Sequence, residues 1–282
     1  MDILVGLFIQ FETYLLALLI SIPRIYGFLT TVPILSPGAV PRLARNATIL
    51  ILCIPIVPVN LVNADTIDRT LATVAYFFAK EFAIGFVFGY MIGWIFWMIT
   101  AVGDLIDNQR GAAIAASIDP LQGTETSPLG NLFSQAFVTY FFSIGGMLII
   151  LQVLYTSYQL WPVTQALPIL SSEFPVLILG IFDHAMRMMF VLAAPVVAIM
   201  FLSEFALAMV SRFAPQIQVF ILAMPIKSGV AIVILIFYAS LLFPYAAEQS
   251  AFFETWTNTL YQILETGRAL RENTAPTGPG PQ

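Results

Sequence analysis

Asp183, His184 and Arg187 place a carboxylate, an imidazole and a guanidinium close together in an apolar run extending from Val176 to Leu202. Charged groups in such a run are costly and need partners or water. Two kinds of chemistry would account for them: a proton relay or ion path, as in a secondary transporter, or structural pairing between packed helices. Asp183 and Arg187 stand at i, i+4, the spacing that lets two side chains on one helix face form an intramembrane ion pair. His184 is the only histidine, and alone it suits a hydrogen-bonded packing role better than that of a ligand or shuttle. Arg24, the neighbours Lys80 and Glu81, Glu204 and Lys227 also lie in apolar stretches. Lys80 and Glu81 are adjacent, so their side chains should point apart and each needs an outside partner. Lys227 has no carboxylate near it in sequence and must meet one elsewhere in the chain or on a neighbouring subunit. The charges are scattered and no related pair of broken segments is visible, which favours structural pairing over a transport relay.

The densest polar segment is GDLIDNQRGAAIAASIDPLQGTETSPLGN, 29 residues from Gly103 to Asn131. It follows a 22-residue uncharged run, Phe82 to Gly103, and precedes 47 residues without charge, Thr126 to Ser172. It carries Asp104, Asp107, Arg110, Asp119 and Glu125. Its many Gly, Ala, Ser and Pro residues suit turns and close backbone approach rather than lipid contact. From its residues alone this loop is either an ordinary surface connection, with Asp119–Pro120 as a turn, or a working element.

The elements that must position these groups are membrane-grade. The 282-residue chain is 59% hydrophobic and 10% charged, with a mean hydropathy of +0.90, whereas a soluble domain carries about 25% charged residues. The fold class is therefore all-α, a multi-helix membrane protein built of bent helices and helical hairpins. Apolar segments fall at about Tyr14–Leu35, Thr48–Val62, Leu71–Val102, Leu132–Trp161, Val176–Leu202 and Ile217–Ala247. The second is marginal for a span of about 20 residues and carries Pro55 and Pro58. The third, fourth and sixth are too long for one simple span, with Pro225 and Ser240–Pro244 as expected breaks in the sixth, and Pro195 should kink the fifth. With six crossings, Arg42, Arg45, Arg110 and Arg212 fall on one side and Arg69, Arg268 and Arg271 on the other, which assigns no orientation. Residues 248–272 repeat Phe252, Phe253, Trp256, Leu260, Ile263 and Leu264 at helical spacing, an amphipathic helix that should pack on the remainder. Residues 273–282 have a disordered composition.

Several functions are disfavoured. A net charge of −5 and a pI near 4.8 argue against nucleic acid, whose phosphates need a basic face. There is no GxxxxGK[ST] phosphate loop, no HExxH and no His/Cys cluster for zinc, so no cofactor, metal or catalytic residue is expected. Cys53 is the only cysteine and reads as a small core hydrophobe. The N-terminus lacks the basic region and cleavage site of a signal peptide, so the first apolar segment should be retained.

Three stretches together resemble one family. The Gly103–Asn131 segment resembles the central loop of the T subunit of bacterial type III secretion export gates, the FliR/SctT family. SRFAPQIQVF (Ser211–Phe220) with PIKSG (Pro225–Gly229) is similar to its C-terminal signature, and VPILSPGAVPRLARNA (Val32–Ala47) to its N-terminal one. The IDNQRG wording resembles the injectisome branch more than the flagellar one. The resemblance implies a non-enzymatic core subunit assembled with R and S subunits into a pore that passes unfolded effectors across the inner membrane. The U-type switch protein, the V-type export gate, an inner-rod protein and membrane lipid are the other implied partners. It also implies an R-like part over about 1–202 and an S-like hairpin over about 203–247.

By the same resemblance the central loop is a pore plug running from about Ala113 to Leu129. Small Ala112, Ala113, Ala115, Ala116 and Ser117 would fit a narrow lumen, and Gly111, Asp119, Pro120, Gly123 and Glu125 belong to the same gating loop. Asp104, Asp107, Asn108, Gln109 and Arg110 would anchor its start. Arg212, Pro215, Gln216 and Lys227 are the implied subunit contacts. The reading from a different class is a proton-coupled small-molecule transporter dependent on Asp183 and Lys227.

Overall fold

The structure, a computed structural model, describes residues 2–35, 40–64, 70–111, 127–165, 172–213 and 219–274. Among these the chain is helical, without strands. The helices are α1 (Asp2–Thr31), α2 (Arg42–Cys53), α3 (Val57–Ala64), α4 (Leu71–Arg110), α5 (Pro128–Ser143), α6 (Gly146–Leu160), α7 (Glu173–Phe213), α8 (Val219–Glu248) and α9 (Phe252–Thr274). Four helical stretches among the described residues are long and apolar enough to cross a membrane, or five if the broken α5–α6 pair counts as one span. The arginine count above supposed six crossings, one more than the described helices offer as candidates. The second segment falls out because it divides around Ile54–Ile56 into α2 and α3, neither long enough to span.

The over-long segments resolve in different ways. The third is one 40-residue helix, α4. The fourth breaks after Ser143, where Gly145 takes φ +82°, a left-handed conformation that side chains with a Cβ resist. The sixth is the continuous helix α8, and the breaks expected at Pro225 and Ser240–Pro244 do not occur. Pro225 stands in the second turn and Pro244 near the C-terminal end, so each removes one helical hydrogen bond without ending the helix.

The chain forms two compact units. The first comprises Met1–Gly93, Met147–Gly180 and Phe252–Gln282; the second comprises Trp94–Gly146 and Ile181–Ala251. In the first unit α1 packs on α2 and α3. Ala17, Ser21, Arg24, Phe28 and Thr31 of α1 are buried, a stripe of alternating three- and four-residue steps. Against α4 this stripe comes very close: a Cβ at Gly85 would collide with the Arg24 backbone, and one at Gly89 with Phe28 and Thr31. Gly85 and Gly89 form the small-xxx-small spacing that lets two helix backbones approach. The amphipathic α9 buries Phe253, Thr257, Leu260 and Leu264, the packing role expected of it.

The core of the second unit is aromatic. Phe96 meets Phe137 and Phe141 edge-on, with ring centroids 5.4 and 5.3 Å apart, and Phe133 meets Phe243 at 5.9 Å. Such pairs add to the area they bury by about 0.5–1.5 kcal/mol each. Helices α5 and α8 pack through this cluster, and that fixes the start of α5 beside the end of α4.

Candidate functional site

The central insert is shorter than its polarity suggested. Gly103–Arg110 continue α4 and Pro128–Asn131 open α5, so both ends of the insert belong to helices. Pro128 and Leu129, the last residues of the expected plug, form the first turn of α5. Polar residues extend α4 because their side chains find partners along the helix, not because the chain has turned into a loop. Residues 112–126, with Ala112, Ala113, Ala115, Ala116, Ser117, Asp119, Pro120, Gly123 and Glu125, lie outside the described residues.

Asp107 ties the two ends of the insert together. It is almost fully buried. Its Oδ2 accepts from Ser127 Oγ at 2.6 Å and from the Leu129 backbone N–H at 2.9 Å. Its Oδ1 lies 2.6 Å from Arg110 Nε, one turn along α4; alignment there is poor for a hydrogen bond, so charge carries the contact. Ser127 is the N-cap of α5, accepting from the Gly130 N–H at 2.9 Å, and Pro128 fills the first helical position. One carboxylate thus satisfies a donor of the first turn of α5, where backbone N–H groups lack helical acceptors and negative charge is favoured.

Two glycines permit this approach. A Cβ on Gly103 would come within 2.7 Å of Gly130, and one on Gly130 would collide with the Asp104 carboxylate. At the other end Gly111 stops α4 with φ +87°, its N–H donating to the Asn108 carbonyl at 3.2 Å. Of the expected anchors, Asp104, Asp107 and Arg110 converge here. Asn108 and Gln109 point to the exterior. Ser127, the second half of the staple, was not among the expected residues. Its signal was legible: a Ser-Pro step before an apolar run is a helix start.

The charges in the apolar segments divide sharply. In the first unit Arg24, Lys80 and Glu81 are fully buried together. Arg24 Nε and Nη2 both reach Glu81 Oε2 at 2.6 Å. Its Nη1 and Nη2 donate to the Ser157 and Trp161 carbonyls at 2.8 Å, and its guanidinium lies 4.1 Å from the Tyr158 ring centroid. Lys80 Nζ donates to the carbonyls of Val163 and of Gln165, the latter at 2.8 Å. It also stands 3.0 Å from Glu81 Oε1, contrary to the expectation that the adjacent pair would diverge. The Lys80 stem is long enough to curl back over the turn. The two cations take up carbonyls at and just beyond the C-terminus of α6, the negative end of its dipole.

In the second unit Lys227 pairs with Glu204 at 2.5 Å, so its partner is in the same chain. Asp183 and Arg187 form the i, i+4 pair at 3.1 Å. His184 meets Gln249 at 3.2 Å and Trp94 edge-on at 5.3 Å, a packing role. Arg212 is exposed in the last turn of α7, while Pro215 and Gln216 lie outside the described residues. Among the described residues no three of His, Cys, Asp and Glu converge to hold a metal ion.

Long apolar helices and a pinned polar insert define a multi-pass, membrane-type all-α protein. Over residues 15–252 the chain matches the family described as bacterial export proteins, family 1. It is 35% identical over 254 residues to the Yop proteins translocation protein T of Yersinia pestis, covering 89% of this chain and 96% of that protein. It is 33% identical over 213 residues to the surface presentation of antigens protein SpaR of Salmonella typhimurium, covering 75% and 78%. To the flagellar biosynthetic protein FliR of Bacillus subtilis it is 29% identical over 229 residues, covering 80% and 87%. The chain belongs to this bacterial export family, and the identities favour its injectisome branch over the flagellar one. It is a component of a type III protein export apparatus.

Proposed function

We propose that this chain is the T-type core subunit of an injectisome export gate in the bacterial inner membrane. With R and S subunits it forms the pore through which unfolded effector proteins leave the cytoplasm, beside a U-type switch protein and a V-type export gate. It performs no reaction itself. The segment from about Ala113 to Leu129 closes that pore and is displaced when substrate or inner-rod subunits engage. One observation supports this reading most directly: the segment's two ends are stapled by the buried Asp107, which fixes where the segment starts and returns. Arg212, Pro215, Gln216 and Lys227 are the proposed contacts to neighbouring subunits.

Deleting residues 113–126 in cells expressing the whole gate is expected to raise the leak of small ions while the chain still co-purifies with its partners. An unchanged leak in an assembled gate would sink the plug assignment.

A further inference from the structure

Asp107 fixes where the insert returns, and a second arrangement in the same unit bears on where it leaves. Gly111 ends α4 at φ +87°, a left-handed conformation that a residue with a Cβ resists. The three atoms nearest the place where its Cβ would stand all belong to Met224 of α8: Cγ at 3.6 Å, Cε at 3.8 Å and Sδ at 3.9 Å. Met224 therefore covers the side of the exit turn on which glycine has no side chain of its own. A flexible, polarizable thioether suits such an irregular gap.

Charge sets the direction of Met224. Lys227 lies three residues further along α8, the spacing that puts two side chains on one helix face. Ala231 and Leu235 continue that face and are buried. The Lys227 side chain is only 12% exposed, and its Nζ lies 2.5 Å from Glu204 Oε2 of α7, a side chain 51% exposed. A nearly buried ammonium that loses its carboxylate is left uncompensated. The pair thus resists rotation of α8 about its own axis, and any such rotation would carry Met224 away from Gly111.

We infer that Met224 is a positioning residue for the insert and that the Glu204–Lys227 pair aims it. Met224 and the pair hold the α4 exit turn from α7 and α8, while Asp107 holds the start of α5. The hold on the exit turn stands on these contacts alone; its consequence for leak rests on the plug reading of the insert.

The test is hydrogen exchange in the full chain co-purified with its partners, read beside ion leak in cells expressing the whole gate. In Glu204→Ala, exchange of the amides of residues 108–111 is expected to rise about fivefold, the strong end of what a half-exposed pair contributes. Met224→Ala should raise it at least as much. In both, the Leu129 amide, held by Asp107, should exchange at the wild-type rate. Met224→Leu keeps the volume, and the reversed pair Glu204→Lys with Lys227→Glu keeps the bond, so both should behave as wild type. Unchanged exchange at 108–111 in Met224→Ala overturns the inference, as does a Leu129 amide that rises in step, the mark of general loosening. A reversed pair that exchanges like Glu204→Ala overturns the role given to the pair. Where residues 108–111 have loosened, ion leak should rise as well. A leak that stays at the wild-type level leaves Met224 its positioning role and counts against the plug reading.

Discussion

Within their apolar segments the first unit hides its charges, while the second leaves most of its own open. Arg24, Lys80 and Glu81 are sealed among helices of one unit, bonded to each other and to four backbone carbonyls. Asp183–Arg187 is open to the exterior, and Glu204 of the Lys227 pair is half exposed. Asp107–Arg110 lies between these extremes, its carboxylate buried and committed to the return limb of the insert. Charges whose partners all lie within the chain act on the fold. Charges with an open side are available to whatever is assembled against them.

Glu81→Leu probes the closed cluster most severely, since it leaves two buried cations without a carboxylate. Breaking a buried pair in this way costs about 3–5 kcal/mol, and the purified chain should lose its single peak on size-exclusion chromatography. A melting temperature equal to wild type would mean that the carbonyls alone hold Arg24 and Lys80. Asp107→Asn removes the charge from the staple, with a cost of about 1.5–3 kcal/mol, the range for hydrogen bonds to a charged group. It should act locally: hydrogen exchange at the Leu129 and Gly130 amides rises while the Phe96–Phe137–Phe141 core stays protected. Uniform exchange across the second unit would contradict a local staple.

Replacing both Asp183 and Arg187 by Leu should change the stability of the isolated chain by no more than about 0.5 kcal/mol, because an exposed pair contributes little. A large shift in thermal unfolding of the purified protein would place this pair with the closed cluster instead. Cys53 tests the closed unit without disturbing it. Burial disfavours the thiolate and pushes the Cys53 thiol up to about 11, so reactivity should appear only as pH rises toward that value. At pH 8 a free thiol of pKa ~8.5 is about one quarter thiolate, and Cys53 roughly one part in a thousand, so iodoacetamide labelling should be slower by roughly two orders of magnitude. Labelling at the free-thiol rate would show that the interior around α2 is open.

The sequence made the all-helical fold, the position of the insert and the i, i+4 pairing of Asp183 with Arg187 legible, because hydropathy and helical spacing are local signals. It misjudged where helices stop. The polar run after Gly103 looked like loop, yet Asp107 and Arg110 satisfy each other on α4 and Asp107 reaches the N-cap of α5. It also treated Pro225 and Pro244 as breaks, whereas both are carried inside α8. The buried cluster was invisible for a different reason. Arg24 meets Glu81 across 57 positions and the Trp161 carbonyl across 137, and backbone carbonyls leave no mark on a sequence.

Those separations also set a clock. Arg24 enters the chain long before Glu81, and its last carbonyl partner is made 137 residues later. At a synthesis rate of about 5–20 residues per second, Arg24 waits roughly 7–27 seconds for Trp161 to be made. Lys80 has a shorter wait for Val163 and Gln165, 83 and 85 positions on. Until then the first helices cannot complete their interior, and Arg24 and Lys80 have Glu81 but not their carbonyl partners. The order of synthesis therefore makes the emergence of the α6 end, near residue 165, the moment at which the first unit can close.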